Sequence, residues 1–290
     1  IINYYIKNLQ EGDNIRIDIE NKDGSVIRTF TNNKDKYSNI ENNDVNKMVG
    51  NPVLSNPNDI DNALSSDNLV SLSPRSGGNR LIWDMRYPGF KSFEGMVLYS
   101  SPNVGPKVAP GKYNIKMTYN DQIQQKEFEI VKDPRVKISQ ADYEDQLEFL
   151  INVRDEVSRA NQKIIDIRNI KNNMIFISEK TRDNNELQEM INNYLTDLSE
   201  IENNIHMTKN QSRQDPLNYG IRINNRIAFL LADSQRGDYP PTDQSKEFFI
   251  QVKGELDSEV MKLDAMIDKH SQKIENYLEE NKIELISLNN

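Results

Sequence analysis

Reactive chemistry in this chain would have to come from a short roll of side chains. There are two histidines, His206 and His270, and no cysteine, so thiolate nucleophiles, thiolate metal sites and disulfides are excluded. Neither histidine has a second one four residues away, which is the spacing a helical metal site needs. His270 falls on the apolar seam of a helix pattern, where a hydrogen-bonded core histidine is expected, and His206 falls where a helix ends, where a capping role is the default. A Ser/His/Asp triad has no basis in two such histidines. Glycoside hydrolysis needs two carboxyl groups about 5–9.5 Å apart in a cleft. Asp84, beside Trp83, Tyr87, Phe90 and Phe93, is the obvious candidate, but on a strand it shares a face with Arg86 and the two are expected to pair locally. Asp59 and Asp61, with Asn58 and Asn62, offer hard oxygen donors for calcium. They lack a glycine turn and a downstream glutamate, so a solvated loop is expected. Gly77-Gly78 is not followed by the Lys-Ser/Thr of a phosphate loop. Arg236-Gly237-Asp238 spells an integrin-type tripeptide, which a helix-ending glycine flanked by charges already explains. No catalytic, cofactor or metal residue is assigned; the remaining candidate is an interaction surface at Tyr87, Phe90 and Phe93.

The elements that must position these residues fall into two halves. Residues 1–134 read as strands. Ile1 to Ile6 looks like a strand, and Ile15, Ile17 and Ile19 alternate with Arg16, Asp18 and Glu20 to give one apolar and one wet face. Asp23-Gly24 supplies a hairpin turn, returning through Ser25 to Phe30. Leu81 to Arg86, Met96 to Ser100, Gly111 to Tyr119 and Ile123 to Val131 are expected to follow. Together they indicate an antiparallel β-sandwich of the immunoglobulin or fibronectin type III sort. Residues 31–76, rich in Asn, Ser and Asp, are expected to form a long surface excursion with a short helix near Asp59 to Ser65.

Residues 135–290 read as an antiparallel four-helix bundle with long helices, so the fold class is α+β in two domains. Ser139 with Asp142 forms a capping box. From Tyr143 to Ile177 apolar residues recur at steps of three and four, giving a helix of roughly 55–60 Å. A second helix starts near Asp183 with Glu186, its seam running Leu187, Ile191, Tyr194, Leu198, Ile201, Ile205. Asp215-Pro216 opens a third, carrying Leu217, Ile221, Ile227, Leu230 and Leu231 and ending near Gly237. Thr242 caps a fourth, with seam Phe249, Val252, Leu256, Val260, Leu263, Ile267, His270, Ile274. Two self-contained apolar layers are expected, so residues 135–290 alone should form a cooperatively melting helical fragment.

A net charge of −9 disfavours nucleic acid and anionic lipid as partners, and no stretch reaches the roughly 20 apolar residues that span a bilayer. The chain begins at Ile1 without an initiator Met or signal peptide, as expected of a piece of a longer protein. Gly78-Asn79-Arg80-Leu81-Ile82-Trp83-Asp84-Met85-Arg86-Tyr87-Pro88-Gly89 and Val108-Ala109-Pro110-Gly111-Lys112-Tyr113 carry a resemblance. Val131-Lys132-Asp133-Pro134-Arg135, Gln214-Asp215-Pro216-Leu217-Asn218-Tyr219 and Pro241-Thr242-Asp243-Gln244 extend it. In order and spacing these are similar to the C-terminal region of bacterial sortilin-like BNR-repeat proteins, often labelled glycosyl hydrolases. In that family a β-propeller precedes an immunoglobulin-like domain and a helical region. The β half also resembles flagellar hook-capping proteins at the level of fold. The propeller's Ser/Thr-x-Asp-x-Gly-x-x-Trp boxes are absent, so no family active-site residue carries over.

The resemblance implies a non-catalytic accessory or scaffold region of an exported protein (periplasmic, cell-surface or secreted). Its partners would be an upstream β-propeller of the same protein or a separate protein in a cell-envelope complex, with no cofactor. Two alternatives remain open: the accessory part of a glycoside hydrolase or sialidase-like enzyme, and a carbohydrate- or protein-binding module.

Overall fold

The computed structural model describes residues 1–33 and 69–283; the helix expected at Asp59 to Ser65 and the calcium candidates lie outside them. The fold is mixed α+β, with strands first and helices after. Strands β1 (Ile2–Ile6), β2 (Ile15–Glu20), β3 (Val26–Thr31), β4 (Leu69–Ser71), β5 (Gly77–Leu81), β6 (Gly111–Tyr119) and β7 (Gln122–Ile130) precede helices α1 (Gln140–Lys180), α2 (Asn185–Ile205), α3 (Pro216–Tyr219), α4 (Ile223–Ser234) and α5 (Asp243–Glu280). β1 pairs with β5 in one sheet, and the other has the order β4-β3-β2-β6-β7. Both contribute to one core: Ile6 and Leu81 from the first meet Ile15, Ile17, Ile19, Phe30 and Tyr113 from the second.

The strand pattern needs four corrections. Pairing is not wholly antiparallel, because β4 runs parallel to β3. The opposite face of β2 is not wet: Asp18 and Glu20 are buried. Asp18 accepts from Arg16 Nε at 2.8 Å and Thr29 Oγ1 at 2.6 Å, so the polar face is satisfied internally rather than by water. The strand expected at Leu81 to Arg86 lies instead at Gly77–Leu81, where its pairing with β1 ends at Ile2 and Leu81; Met85, beyond it, takes a φ of +60°. Met96 to Ser100 forms no strand at all.

Helix boundaries follow local capping chemistry. Ser139 and Asp142 form the reciprocal box, and Thr242 accepts from Ser245 N–H. The second helix is capped by Asn184, which accepts from Leu187 N–H, not by the pair at Asp183 and Glu186. Every seam residue expected on α2 is buried. The third helix is broken: α3 stops at Gly220, whose φ of +77° ends it, and α4 begins at Ile223. Leu217 and Ile221 consequently sit exposed outside the seam. α1 packs against α2 and α4, and α5 packs against the same two helices.

The apolar layers are not self-contained. The connection between β5 and β6 places Phe90 and Phe93 in the helical core, with Met96 and Leu98 packed against it. Trp83 and Tyr87 belong to the sheet core instead. A fragment starting at residue 135 would leave the Phe90 and Phe93 sites open. Phe90, 1% exposed, tests this directly: Phe90→Ala should cost about 3–5 kcal/mol. The loss should be read from the far-ultraviolet helical signal in denaturant titrations, although the residue belongs to no helix.

Candidate functional site

The polar centre of the molecule is the junction where the β5–β6 connection meets the helices. There the connection is held as helices would hold an extended peptide, by side-chain amides paired with its backbone. Asn225 of α4 accepts from Tyr99 N–H at 2.7 Å and donates to Tyr99 C=O at 3.0 Å. On α1, Ser158 Oγ accepts from Lys91 N–H at 3.0 Å and Asn161 donates to Lys91 C=O at 2.6 Å. Within the connection, Asn103 closes the same two-bond ring on Phe90, at 2.8 and 2.7 Å. A carboxamide presents one acceptor and two donors, so it can replace a neighbouring strand. Within the stretch Met96 to Ser100, it is Tyr99 whose backbone groups are answered in this way.

Close approach at this fold-back requires glycine at two points. A Cβ on Gly89 would lie 2.1 Å from Asn103 Oδ1, and one on Gly105 would lie 2.0 Å from the Tyr87 carbonyl oxygen. The contact at Gly105 is with backbone and cannot yield by a side-chain rotation.

Beneath the clamps lies a buried relay. Asn224 Nδ2 stands 3.0 Å from Asn161 Oδ1 and 3.2 Å from His206 Nδ1. Phe93 packs edge-on against the His206 ring, with centroids 4.9 Å apart. The Arg168 guanidinium lies 4.7 Å from the Phe93 centroid. Arg168 also bonds Glu202 at 2.8 Å and the Glu94 carbonyl at 2.9 Å, and Lys171 reaches Glu202 at 2.7 Å. Burial pushes the His206 pKa down to about 4, helped by Arg168 and opposed by Asn224 and Glu202. For Glu202 burial is the largest single effect and raises the pKa, but the bonds and charges of Lys171 and Arg168 together outweigh it, leaving the carboxyl below its usual value. Burial lowers the Lys91 ammonium pKa, with Asp166 opposing; Lys91 Nζ is bonded to Gln162.

Each candidate read from the sequence can now be placed. His206 is the C-cap residue of α2, but its ring is buried against Phe93 and Asn224. His270 stacks on Tyr194 at 4.7 Å and meets Asp197 Oδ2 at 3.1 Å. Asp84 accepts from the Arg86 backbone N–H, whereas the Arg86 guanidinium bonds Gly105 C=O at 2.7 Å and Gln235 Oε1 at 2.9 Å. The expected side-chain pair is replaced by a second bridge to the helices, and burial lowers the Arg86 pKa. Phe90 and Phe93 are inside the core and Tyr87 is half-buried, so the three do not make an open aromatic platform. In the Arg-Gly-Asp turn, Asp238 accepts from Tyr143 at 3.1 Å and Gly237 C=O accepts from Gln146 at 2.7 Å.

A cleft of about 210 Å³ opens where Val108 to Pro110 and Ile130 to Asp133 face Tyr143, Gln146 and Leu150. Among the described residues no group of three or more His, Cys, Asp or Glu could hold a metal ion, and no helix is long and apolar enough to cross a membrane. Comparison with protein-family models, curated proteins and solved structures gives no match.

The sequence reading passed over Asn161, Asn224, Glu202 and Gln146. Each interrupts an apolar seam in register: Asn161 lies four after Val157 and three before Ile164, and Glu202 lies between Leu198 and Ile205 at four and three. A polar residue at a core position announces a partner arriving from outside the helix. Asn161→Ala should cost about 1–3 kcal/mol by leaving the buried Lys91 carbonyl unpaired, measured as a lowered denaturation midpoint with an unchanged slope. Gly105→Ala should cost about 1–3 kcal/mol or more through overpacking, seen as a fall in melting temperature.

Proposed function

We propose that this chain is a non-catalytic accessory and scaffold region of a larger exported bacterial protein of the sortilin-like BNR-repeat type, mediating contacts between domains or proteins. One observation carries the reading. The segment bearing the resemblance, Gly78 to Gly89 with its continuation to Pro110, puts Arg86, Phe90, Phe93 and Tyr99 at the join between the sheets and the helices. Arg86 bridges to Gln235, Asn225 holds Tyr99, and Phe90 and Phe93 enter the helical core. Those side chains therefore build a rigid joint.

In this reading the β half is an immunoglobulin-like sandwich. It is supported by Tyr113, whose hydroxyl donates to Ala109 C=O at 2.5 Å, the geometry of a tyrosine corner. Trp83 adds support by packing edge-on against Tyr113 and Phe128, with centroids 6.4 and 6.3 Å away. The helical half is a four-helix bundle of α1, α2, α4 and α5, supported by their mutual contacts. α1, with 41 residues, gives the arm a length of about 60 Å. An upstream β-propeller or a separate envelope protein would be the partner.

Because the chain has no native cysteine, spin labels can be placed uniquely. Labels at Lys126→Cys on β7 and Met261→Cys on α5 should give one narrow distance distribution by double electron–electron resonance. A broad or bimodal distribution would overturn the rigid arm, and glycoside turnover by the purified chain would overturn the non-catalytic assignment.

A further inference from the structure

We propose that His206 is an acid-sensitive latch: gain of a proton at Nδ1 releases the Lys91–Ser101 segment from the helices and uncovers Phe90 and Phe93. The geometry gives the reason. Asn224 Nδ2 faces two acceptors at once, Asn161 Oδ1 at 3.0 Å and His206 Nδ1 at 3.2 Å. That arrangement requires a neutral imidazole with an unprotonated Nδ1. A proton there sets N–H against N–H. Asn224 can answer only by turning its carbonyl oxygen to the ring, and that oxygen is buried without a partner in the present arrangement. Turning it places oxygen against Asn161 Oδ1, and Asn161 is the side chain that holds the Lys91 carbonyl. The conflict passes along one chain of contacts, from α2 through α4 and α1 to the connection.

Nothing around His206 absorbs the added charge. The ring is 2% exposed and has Phe93 from the connection against it. Arg168 of α1 opposes a proton. Glu202, on its own helix, favours one but is already committed to Arg168 and Lys171. α4 offers the uncharged Asn224, and Glu259 of α5 is taken by Asn204 and Lys262. The proton therefore binds while the junction is open and resists reclosure. The closed state holds the histidine near 4, against an ordinary value of 6.5. Acid lability thus develops as pH falls through 6.5 and levels off below about 4.

The test is hydrogen exchange on the whole chain, resolved by peptide and corrected for intrinsic rates. Between about pH 8 and pH 5 the opening constant of the Lys91–Ser101 segment and the first turn of α4 should rise about 30-fold, the single-proton linkage for these two values. β6 and β7 should not follow. His206→Asn, which keeps an acceptor for Asn224, should remove the response, and His270→Gln should retain it. A wild-type change below about 3-fold overturns the latch. So does a response equal in β6 and β7, one that survives in His206→Asn, or one that disappears in His270→Gln. If His206→Asn fails to fold, the wild type and His270→Gln still decide, because the chain has only two histidines.

Discussion

The pairing of asparagine carboxamides with an irregular backbone is the interaction on which this molecule depends. A chain that crosses from a sheet to a helical layer without regular structure carries peptide groups that neither layer can satisfy by repetition. Here Asn225 and Asn103 each supply a donor and an acceptor, and Asn161 a donor beside the acceptor Ser158, where a neighbouring strand would have done so. The connection can then run buried without becoming a strand. It brings two phenylalanine rings into the helical core as it passes, so the amide pairing and the apolar packing are won or lost together.

This arrangement ties the two halves together through the β5–β6 connection. The sheet core is closed around Trp83 and Tyr113, and the helical core around Val157, Ile164, Leu198 and Leu256. Each has its own apolar centre, yet the helices lack a complete surface without residues supplied from the strand side. Arg86, reaching Gln235 across 149 positions of sequence, shows the same dependence in a polar bond. The contacts of this joint are distributed over α1, α4 and the connection.

Regular periodicity was legible in the sequence; partner choice was not. The alternation at Ile15, Ile17 and Ile19, the turn at Asp23-Gly24 and the α2 seam all declare themselves because strands and helices bury residues at fixed intervals. Ser139 and Thr242 declare helix starts through local capping. The β5–β6 connection has no such signature. Its aromatic residues read equally well as core, surface or strand, and what decides among these is long-range contact with α1 and α4. β5 shows the limit sharply: its span, Gly77–Leu81, follows its pairing with β1 and not the favourable composition of Leu81 to Arg86. The interruptions at Asn161 and Glu202 were visible as breaks in a seam. They pointed to a missing neighbour without naming it.

A fastening made of carboxamides is also chemically perishable. Asparagine is among the thermolabile residues, since loss of ammonia turns it into aspartate. At Asn103, Asn161 or Asn225 that change would delete the donating half of a clamp and set a carboxylate against a carbonyl oxygen. Such a change would loosen the seam through altered covalent structure, while strands and helices elsewhere kept their form.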